Sequence, residues 1–360
     1  MLSSCFSRYQ EELQAELRAA VGLGSSPLHG MMRYHLGWEG GESEPNSGKM
    51  SRPTLCLLAC EAVGGDWRRA LPAAAAIELV HNFSLIHDDI QDGSWERRDR
   101  PTVWKLWGVA QGINAGDAMY AVAQLALLRL GERGVPYEKA VLLSRRLNQA
   151  CIQLCEGQFL DIEYEDRLDV DIDQYLEMIG HKTACLFETA LFFGASLGSE
   201  DQGQVAALSS FGRDLGMAFQ VHNDLAGIWG EEGWGGKRPY SDIRNKKKTL
   251  PIIHALQKAE GEELEKMVGI YSKARVTKRD AMDVLRILDV MHSRAYSEGI
   301  RQQYHIRALK DLDRARVPAP FHQELREVAA FLLGEAHRLE NVQQAGRPRR
   351  PYGPGKVAWK

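Results

Sequence analysis

The 360-residue chain has no run approaching the roughly 18 to 20 apolar residues that a membrane span requires. It has no alternating strand pattern of useful length, no internal repeat of fixed period and no shift in composition that would mark a second domain. Its charge is nearly balanced, at −3 overall, which removes the usual reason to expect nucleic acid or an anionic membrane as a partner. The six cysteines, Cys5, Cys56, Cys60, Cys151, Cys155 and Cys185, form no CxxC pair. They read as thiols of a reducing cytoplasm rather than as a disulfide frame or a zinc site. The first helix-like stretch carries Arg8, Glu11, Glu12 and Glu16 and so lacks the apolar centre of a signal peptide. A cytoplasmic protein is the expectation.

What remains is helix. Residues 3 to 22 alternate apolar and charged residues at helical period, and apolar residues recur every three or four positions over 53–63, 67–93, 112–130, 136–166, 201–229, 276–303 and 320–342. Gly37 to Ser51, rich in Gly, Ser, Glu and Pro, is expected to be a loop, and the glycines from 227 to 236 open another that runs to Lys248. The expected architecture is one all-α domain over residues 1–344, a bundle of roughly ten or more helices around a central cavity. The tail 345–360, with three arginines and three prolines, is expected to be disordered.

The longest apolar helix ends in Leu85-Ile86-His87-Asp88-Asp89-Ile90-Gln91-Asp92. Asp88 and Asp92, four residues apart, stack on one face. Carboxylates this close repel unless a cation lies among them, and Mg²⁺ suits the place because it takes carboxylate oxygens, keeps waters and completes its octahedron with phosphate. A solvated acidic helix end is the plainer alternative. Arg97 and Arg98 follow within six residues, and arginine grips phosphate through its planar fork. An internal salt bridge is the plainer reading of these too. Asp224, with Gln220 one turn earlier, offers a second acidic face, and Lys182, Lys237 and Lys247 add point charges. Lys49 and Arg52 stand before a helix start, where backbone N–H groups already favour an anion. Two acidic faces and several basic clusters in one helical domain suggest a cavity for two anionic groups, at least one of them bound through Mg²⁺. His87 and His222, beside the acidic stretches, are expected to be structural, because Mg²⁺ prefers oxygen.

These residues resemble the trans-type isoprenyl diphosphate synthases, or polyprenyl synthetases, from about Gly48 to Arg338. Asp88-Asp89-Ile90-Gln91-Asp92 with Arg97-Arg98 and Pro101-Thr102 resembles the family's first aspartate-rich motif. Gly48-Lys49 with Arg52-Pro53 is similar to its loop for isopentenyl diphosphate, joined there by His81 and Arg98. Gln158, Asp161, Lys182-Thr183, Phe219-Gln220 and Asp242 to Pro251 fall where the family has matching residues.

The resemblance implies a short-chain prenyltransferase that condenses an allylic diphosphate with isopentenyl diphosphate head to tail, giving geranylgeranyl or farnesyl diphosphate. It implies Mg²⁺, more than one ion, on Asp88, Asp92 and Asp224, with Asp89 in the same motif. Arg97, Lys182 and Lys247 would neutralise the leaving group, Thr183, Gln220 and Lys237 would bind substrate, and the protein would be a homodimer.

The second motif departs from the family: Asn223-Asp224-Leu225-Ala226-Gly227 keeps one of three aspartates. Asn223, Gly227 and Glu231 also match the spacing of a metal motif in class I terpene cyclases, so a cyclase, or a non-catalytic subunit of a heteromeric synthase, stays open. A cyclase, however, has no use for Lys49, Arg52, His81 and Arg98 together. Phe83 lies five residues before Asp88, about 7.5 Å along the helix. Its ring is expected to floor the cavity and limit chain length, with Ser84 leaving some room; ordinary core packing is the plainer alternative.

Overall fold

The computed structural model describes residues 2–22, 24–39, 50–230 and 240–335. Among these the α-helices are α1 (Leu2–Val21), α2 (Pro27–His35), α3 (Ser51–Ala62), α4 (Leu71–Gln91), α5 (Val103–Trp107), α6 (Val109–Leu128), α7 (Tyr137–Glu165), α8 (Ile172–Ile179), α9 (Cys185–Gly198), α10 (Gln202–Trp229), α11 (Ser241–Arg244), α12 (Leu250–Lys258), α13 (Gly261–Tyr271), α14 (Lys278–Val290), α15 (Ser293–Arg314) and α16 (Ala319–Leu332). The expected all-helical bundle is what forms. Residues 276–303 are not one helix, because His292 takes a left-handed backbone (φ 54°) and divides α14 from α15. The helix expected to reach 342 is described to Leu332, and the tail 345–360 lies outside the described residues.

One strand pair was not expected. Glu96–Arg97 (β1) and Arg100–Pro101 (β2) form a two-residue antiparallel ladder beyond α4, with Arg97 opposite Arg100. Arg98 and Asp99 make the turn, both left-handed at φ 54° and 61°. That is the twist a two-residue hairpin requires, and neither residue is the Gly or Asn that normally supplies it.

α4 is central. Its first nine residues, Leu71 to Leu79, are all buried, and Ala73 to Ala76 within them let neighbouring backbones approach closely. It packs on α1, α3, α6 and α9, while α9 also packs on α10, and α10 on α15. The helix starts are well specified. Asp201 accepts from the Gly203 and Gln204 N–H groups at the head of α10, and Asp171 and Gln174 form a reciprocal capping box on α8. Each such cap contributes about 1 kcal/mol. Among the described residues no helix is long and apolar enough to cross a membrane.

Candidate active site

α4 delivers its three aspartates in two directions. Adjacent helical residues are 100° apart, so the face shared by Asp88 and Asp92 excludes Asp89. Asp89 is 2% exposed and is gripped by Arg97: Nε lies 2.9 and 3.0 Å from its two oxygens, and the terminal nitrogen 2.8 Å from one of them. Burial pushes the Asp89 carboxyl up, and Arg97 opposes this. Arg97, expected to neutralise a leaving group, has its fork engaged by Asp89 instead, and the hairpin is what brings it there.

Asp88 and Asp92 face lysines from two other elements. Lys247 Nζ is 3.4 Å from Asp92 Oδ2. Lys182 Nζ is 2.5 Å from Asp161 Oδ2 on α7, and its charge also acts on Asp88. Burial raises the Asp88 carboxyl, and Asp92 adds to that effect. Burial works against both ammonium groups, yet Asp161 and Asp88 raise Lys182, while Asp92, Asp161 and Asp242 raise Lys247, so both stay charged at neutral pH.

Lys182 and Thr183 sit in a π-helical turn, Gly180–Ala184, inserted between α8 and α9. Such turns concentrate at functional sites. The turn lies directly on α7 at Gly157, where a Cβ would come within 2.3 Å of the Lys182 backbone nitrogen. Only glycine permits that approach.

The second acidic face differs from expectation. Asp224 is 3% exposed. Its Oδ2 accepts from the Tyr175 hydroxyl at 2.5 Å and the Leu250 N–H at 3.0 Å, and its Oδ1 accepts from Gln220 Nε2 at 2.9 Å. Thr183 Oγ1 donates to Gln220 Oε1 at 2.9 Å. Asp224 therefore joins α8, α10, α12 and the π turn, and three donors already use the carboxylate expected to ligate metal. The residue that motif counting marks as missing has a counterpart in space: a Cβ on Gly227 would lie 1.9 Å from Asp242 Oδ2. The buried carboxylate of Asp242, on α11, fills the room that a side chain at 227 would take.

A second basic cluster forms around the middle of α4. The Arg52 guanidinium stacks 4.4 Å over the Phe187 ring, and its NH1 is 3.4 Å from His81 Nε2. Burial lowers Arg52 to about 10, which leaves it charged. Burial, then Arg52 and Arg98, push His81 far below its ordinary value. A neutral His81 that accepts from Arg52 at Nε2 carries its proton on Nδ1, ready to donate. Arg98 reaches the same region from the hairpin turn, and burial lowers it as well. A cavity of about 20 Å³ beside it is lined by residues including His35, Arg97 and Arg100, enough for one water. Lys49 and Lys237 lie outside the described residues.

Phe83 is buried, edge-on to Tyr120 at 5.4 Å and to His87 at 5.9 Å. Ser84 donates to the His81 carbonyl at 2.8 Å. His87 packs against α6, its Nε2 3.3 Å from the Ile113 carbonyl. Sequence reasoning gave no chemical role to Tyr175 or to the buried Glu78. Tyr175 carries no motif signal, and Glu78 reads as one polar residue in an apolar helix.

Stacked carboxylates thus face two ammonium groups at the end of α4, and Arg52 of α3 meets His81 nearer the middle of that helix. The chain belongs to the polyprenyl synthetase family, whose model matches residues 43–288. It is 39% identical over 306 residues to the geranylgeranyl diphosphate synthase of Mycobacterium tuberculosis, covering 83% of this chain and 86% of the relative. The crystal structure of a polyprenyl synthetase from Streptomyces coelicolor A3(2) superposes with a TM-score of 0.85 at 34% identity, over 92% of this chain and 99% of that one. A geranylgeranyl pyrophosphate synthase from Corynebacterium glutamicum, solved with isoprenyl diphosphate and magnesium, superposes at 0.80 and 25% identity, over 93% and 99% of the two chains.

Proposed function

We propose that this protein condenses an allylic diphosphate with isopentenyl diphosphate, head to tail, to give geranylgeranyl diphosphate or, one unit shorter, farnesyl diphosphate. The observation that carries the reading is the presence of two separate cationic clusters. Lys182 and Lys247 face the Asp88 and Asp92 carboxylates, while Arg52 meets His81, about 10 Å along α4 from Asp88 at 1.5 Å per residue, and Arg98 also acts on His81. An enzyme of one diphosphate substrate needs only the first.

The donor set suits Mg²⁺. Two carboxylates one turn apart, each with a lysine charge acting on it, match an ion that takes one or two carboxylates and completes its shell with phosphate and water. Asp88 and Asp92 would hold it. Asp224, with three hydrogen bonds to its carboxylate, would support the site from behind. When bound, Mg²⁺ would supply positive charge to the departing diphosphate. Lys182 and Lys247 add to that charge from the protein side as the allylic C–O bond breaks. The double bond of isopentenyl diphosphate, its own diphosphate anchored by Arg52, Arg98 and His81 Nδ1–H, attacks the resulting cation, and a proton leaves to the departing diphosphate. The reaction requires exclusion of water that would quench the cation.

The same reading carries a cytoplasmic location and a homodimer. Ile152 and Phe159 on α7, seven residues apart on one stripe, are 60% and 66% exposed, and Leu125 and Leu128 on α6 are exposed as well. Apolar surface of this extent supports association of two copies through α6 and α7.

The test of the activity is incubation with farnesyl diphosphate alone and with isopentenyl diphosphate added, products read by mass. We expect geranylgeranyl diphosphate only in the second. A hydrocarbon or alcohol formed from farnesyl diphosphate alone would point to a cyclase, and no product from the purified homomer to a non-catalytic subunit.

A further inference from the structure

Lys246, Lys247 and Lys248 are consecutive, and only the middle one has a part in the chemistry above. Three ammonium groups in a row repel one another, and a solvated run of lysines would leave each side chain free to move. Here all three are held. Lys247 Nζ is 3.4 Å from Asp92 Oδ2. Lys248, 8% exposed, donates to the Glu165 carbonyl at 2.6 Å, and its Nζ lies 5.2 Å from the centre of the Tyr271 ring. Lys246 donates to the Lys273 carbonyl at 3.0 Å and to the Tyr271 carbonyl at 3.4 Å.

Those carbonyls are helix ends. Glu165 is the last residue of α7 and Tyr271 the last of α13. The final carbonyls of a helix lack partners within it and carry the negative end of its dipole, so a cation there is favoured. Neither helix has a basic residue in its own last turn. One tripeptide supplies the cation to both. The backbone accommodates this: Lys246 is left-handed at φ 53°, a conformation that disfavours any residue with a Cβ and persists where the surroundings over-determine it. The Lys246 N–H bonds to the Ile243 carbonyl at 3.0 Å and the Lys247 N–H to the Asp242 carbonyl at 2.9 Å, which fixes the turn out of α11. Asp161, the partner of Lys182 at 2.5 Å, lies one turn before Glu165. Lys248 therefore grips the helix end that already holds the other lysine of the site.

We propose that Lys246 and Lys248 are positioning residues: by tying their loop to the ends of α13 and α7 they hold Lys247 aimed at Asp92 and at the allylic diphosphate bound there. This rests on the function proposed above. Two effects oppose each other on removing an anchor. Repulsion within the run is relieved, since burial and the charge of Lys246 both work against the Lys248 ammonium, but the loop is released from a helix end. The second effect dominates. Lys247 meets Asp92 only at 3.4 Å, the far limit of a hydrogen bond, and its side chain is 41% exposed, so that contact is too weak to fix its aim.

The experiment measures kcat and both KM values for Lys248→Met, Lys246→Met and Lys246→Arg, each in the wild-type chain and in one carrying Lys247→Ala. We expect Lys248→Met to lower kcat/KM for the allylic substrate about tenfold, with the KM for isopentenyl diphosphate within about twofold. Lys246→Met should lower it less, and Lys246→Arg, which keeps a cation, should stay near wild type. In the Lys247→Ala chain the same changes should cost under about twofold, because an anchor then has nothing to aim. An equal loss in both backgrounds, no loss in either, or a parallel rise in both KM values overturns the proposal. If Lys248→Met does not fold, Lys246→Met carries the comparison, and a loss unaltered by Lys247→Ala overturns it. Calorimetric titration of farnesyl diphosphate repeats the comparison without turnover. Binding weakened by the anchor variants only where Lys247 is present, together with no product from wild type, would sink the activity and leave the anchors standing.

Discussion

Replacing Arg97 with glutamine separates two roles that its position in the motif makes look alike. If Arg97 acts on a leaving group, the loss falls on kcat. If it acts through Asp89, the loss falls first on stability. Three contacts of 2.8 to 3.0 Å join it to a carboxylate that is 2% exposed. Breaking a buried pair by removing one partner costs about 3 to 5 kcal/mol. The Arg97 side chain is 32% exposed, so part of its charge is already solvated, and we expect about 2 to 3 kcal/mol. Urea unfolding of Arg97→Gln, Asp89→Asn and the double variant gives the coupling directly, and about 1.5 kcal/mol or more is expected. The dependence on pH has a definite sign. Asp89 has a carboxyl raised above its unfolded value, so its unfavourable burial is felt above the unfolded pKa and is relieved as pH falls through the folded one. Loss of Arg97 raises it further, so the deficit of Arg97→Gln should be full at neutral pH and shrink on acidification. A variant as stable as wild type, with a coupling under about 0.5 kcal/mol and a large fall in kcat, would refute the structural role.

Three other outcomes follow from distances already given. Phe83→Ala removes a buried ring that packs on Tyr120 and His87 and should yield longer prenyl products by mass; an unchanged distribution would remove Phe83 from chain-length control. Gly227→Asp, which restores the motif on paper, puts a Cβ 1.9 Å from Asp242 Oδ2 and sets two carboxylates together; we expect about 2 kcal/mol or more of destabilisation in urea and no gain in kcat, and a variant as stable as wild type would contradict the packing. Ile152→Glu combined with Phe159→Glu charges the exposed stripe of α7 and should shift the protein to monomer in sedimentation, whereas an unaltered dimer would place the interface elsewhere.

The helical class was legible because periodicity and the absence of alternating runs speak directly to it. Asp88 and Asp92 were legible because four residues on a helix is a fixed geometry. The Asp89–Arg97 pair was not, since it depends on a hairpin whose two-residue turn, Arg98-Asp99, lacks the glycine that usually marks one. The second motif was only partly legible for a related reason. Counting carboxylates along one helix finds Asn223 and Gly227 where acids are expected, and only folding brings Asp242 from α11 into the vacant place. Asp224 kept its position in the motif, and its bond to Gln220 one turn away follows helical spacing, whereas Tyr175 and Leu250 come from other elements that no spacing rule connects. The break at His292 came from a single left-handed residue inside an otherwise helical pattern.

The π turn at Gly180–Ala184 has a consequence for what this sequence can tolerate. The Cys185 N–H bonds to the Gly180 carbonyl, five residues back, so the helix carries one residue more than a regular turn would hold. That residue offsets the whole of α9 by about 100° relative to α8. Removing any one residue from 180–184 would leave a smoother rod of good helix formers, yet it would rotate α9 away from α3 and α10 or swing Lys182 off Asp161. The irregularity is the gauge that sets the packing of α9 and the aim of Lys182 together, so insertions and deletions here are barred even where substitutions are not.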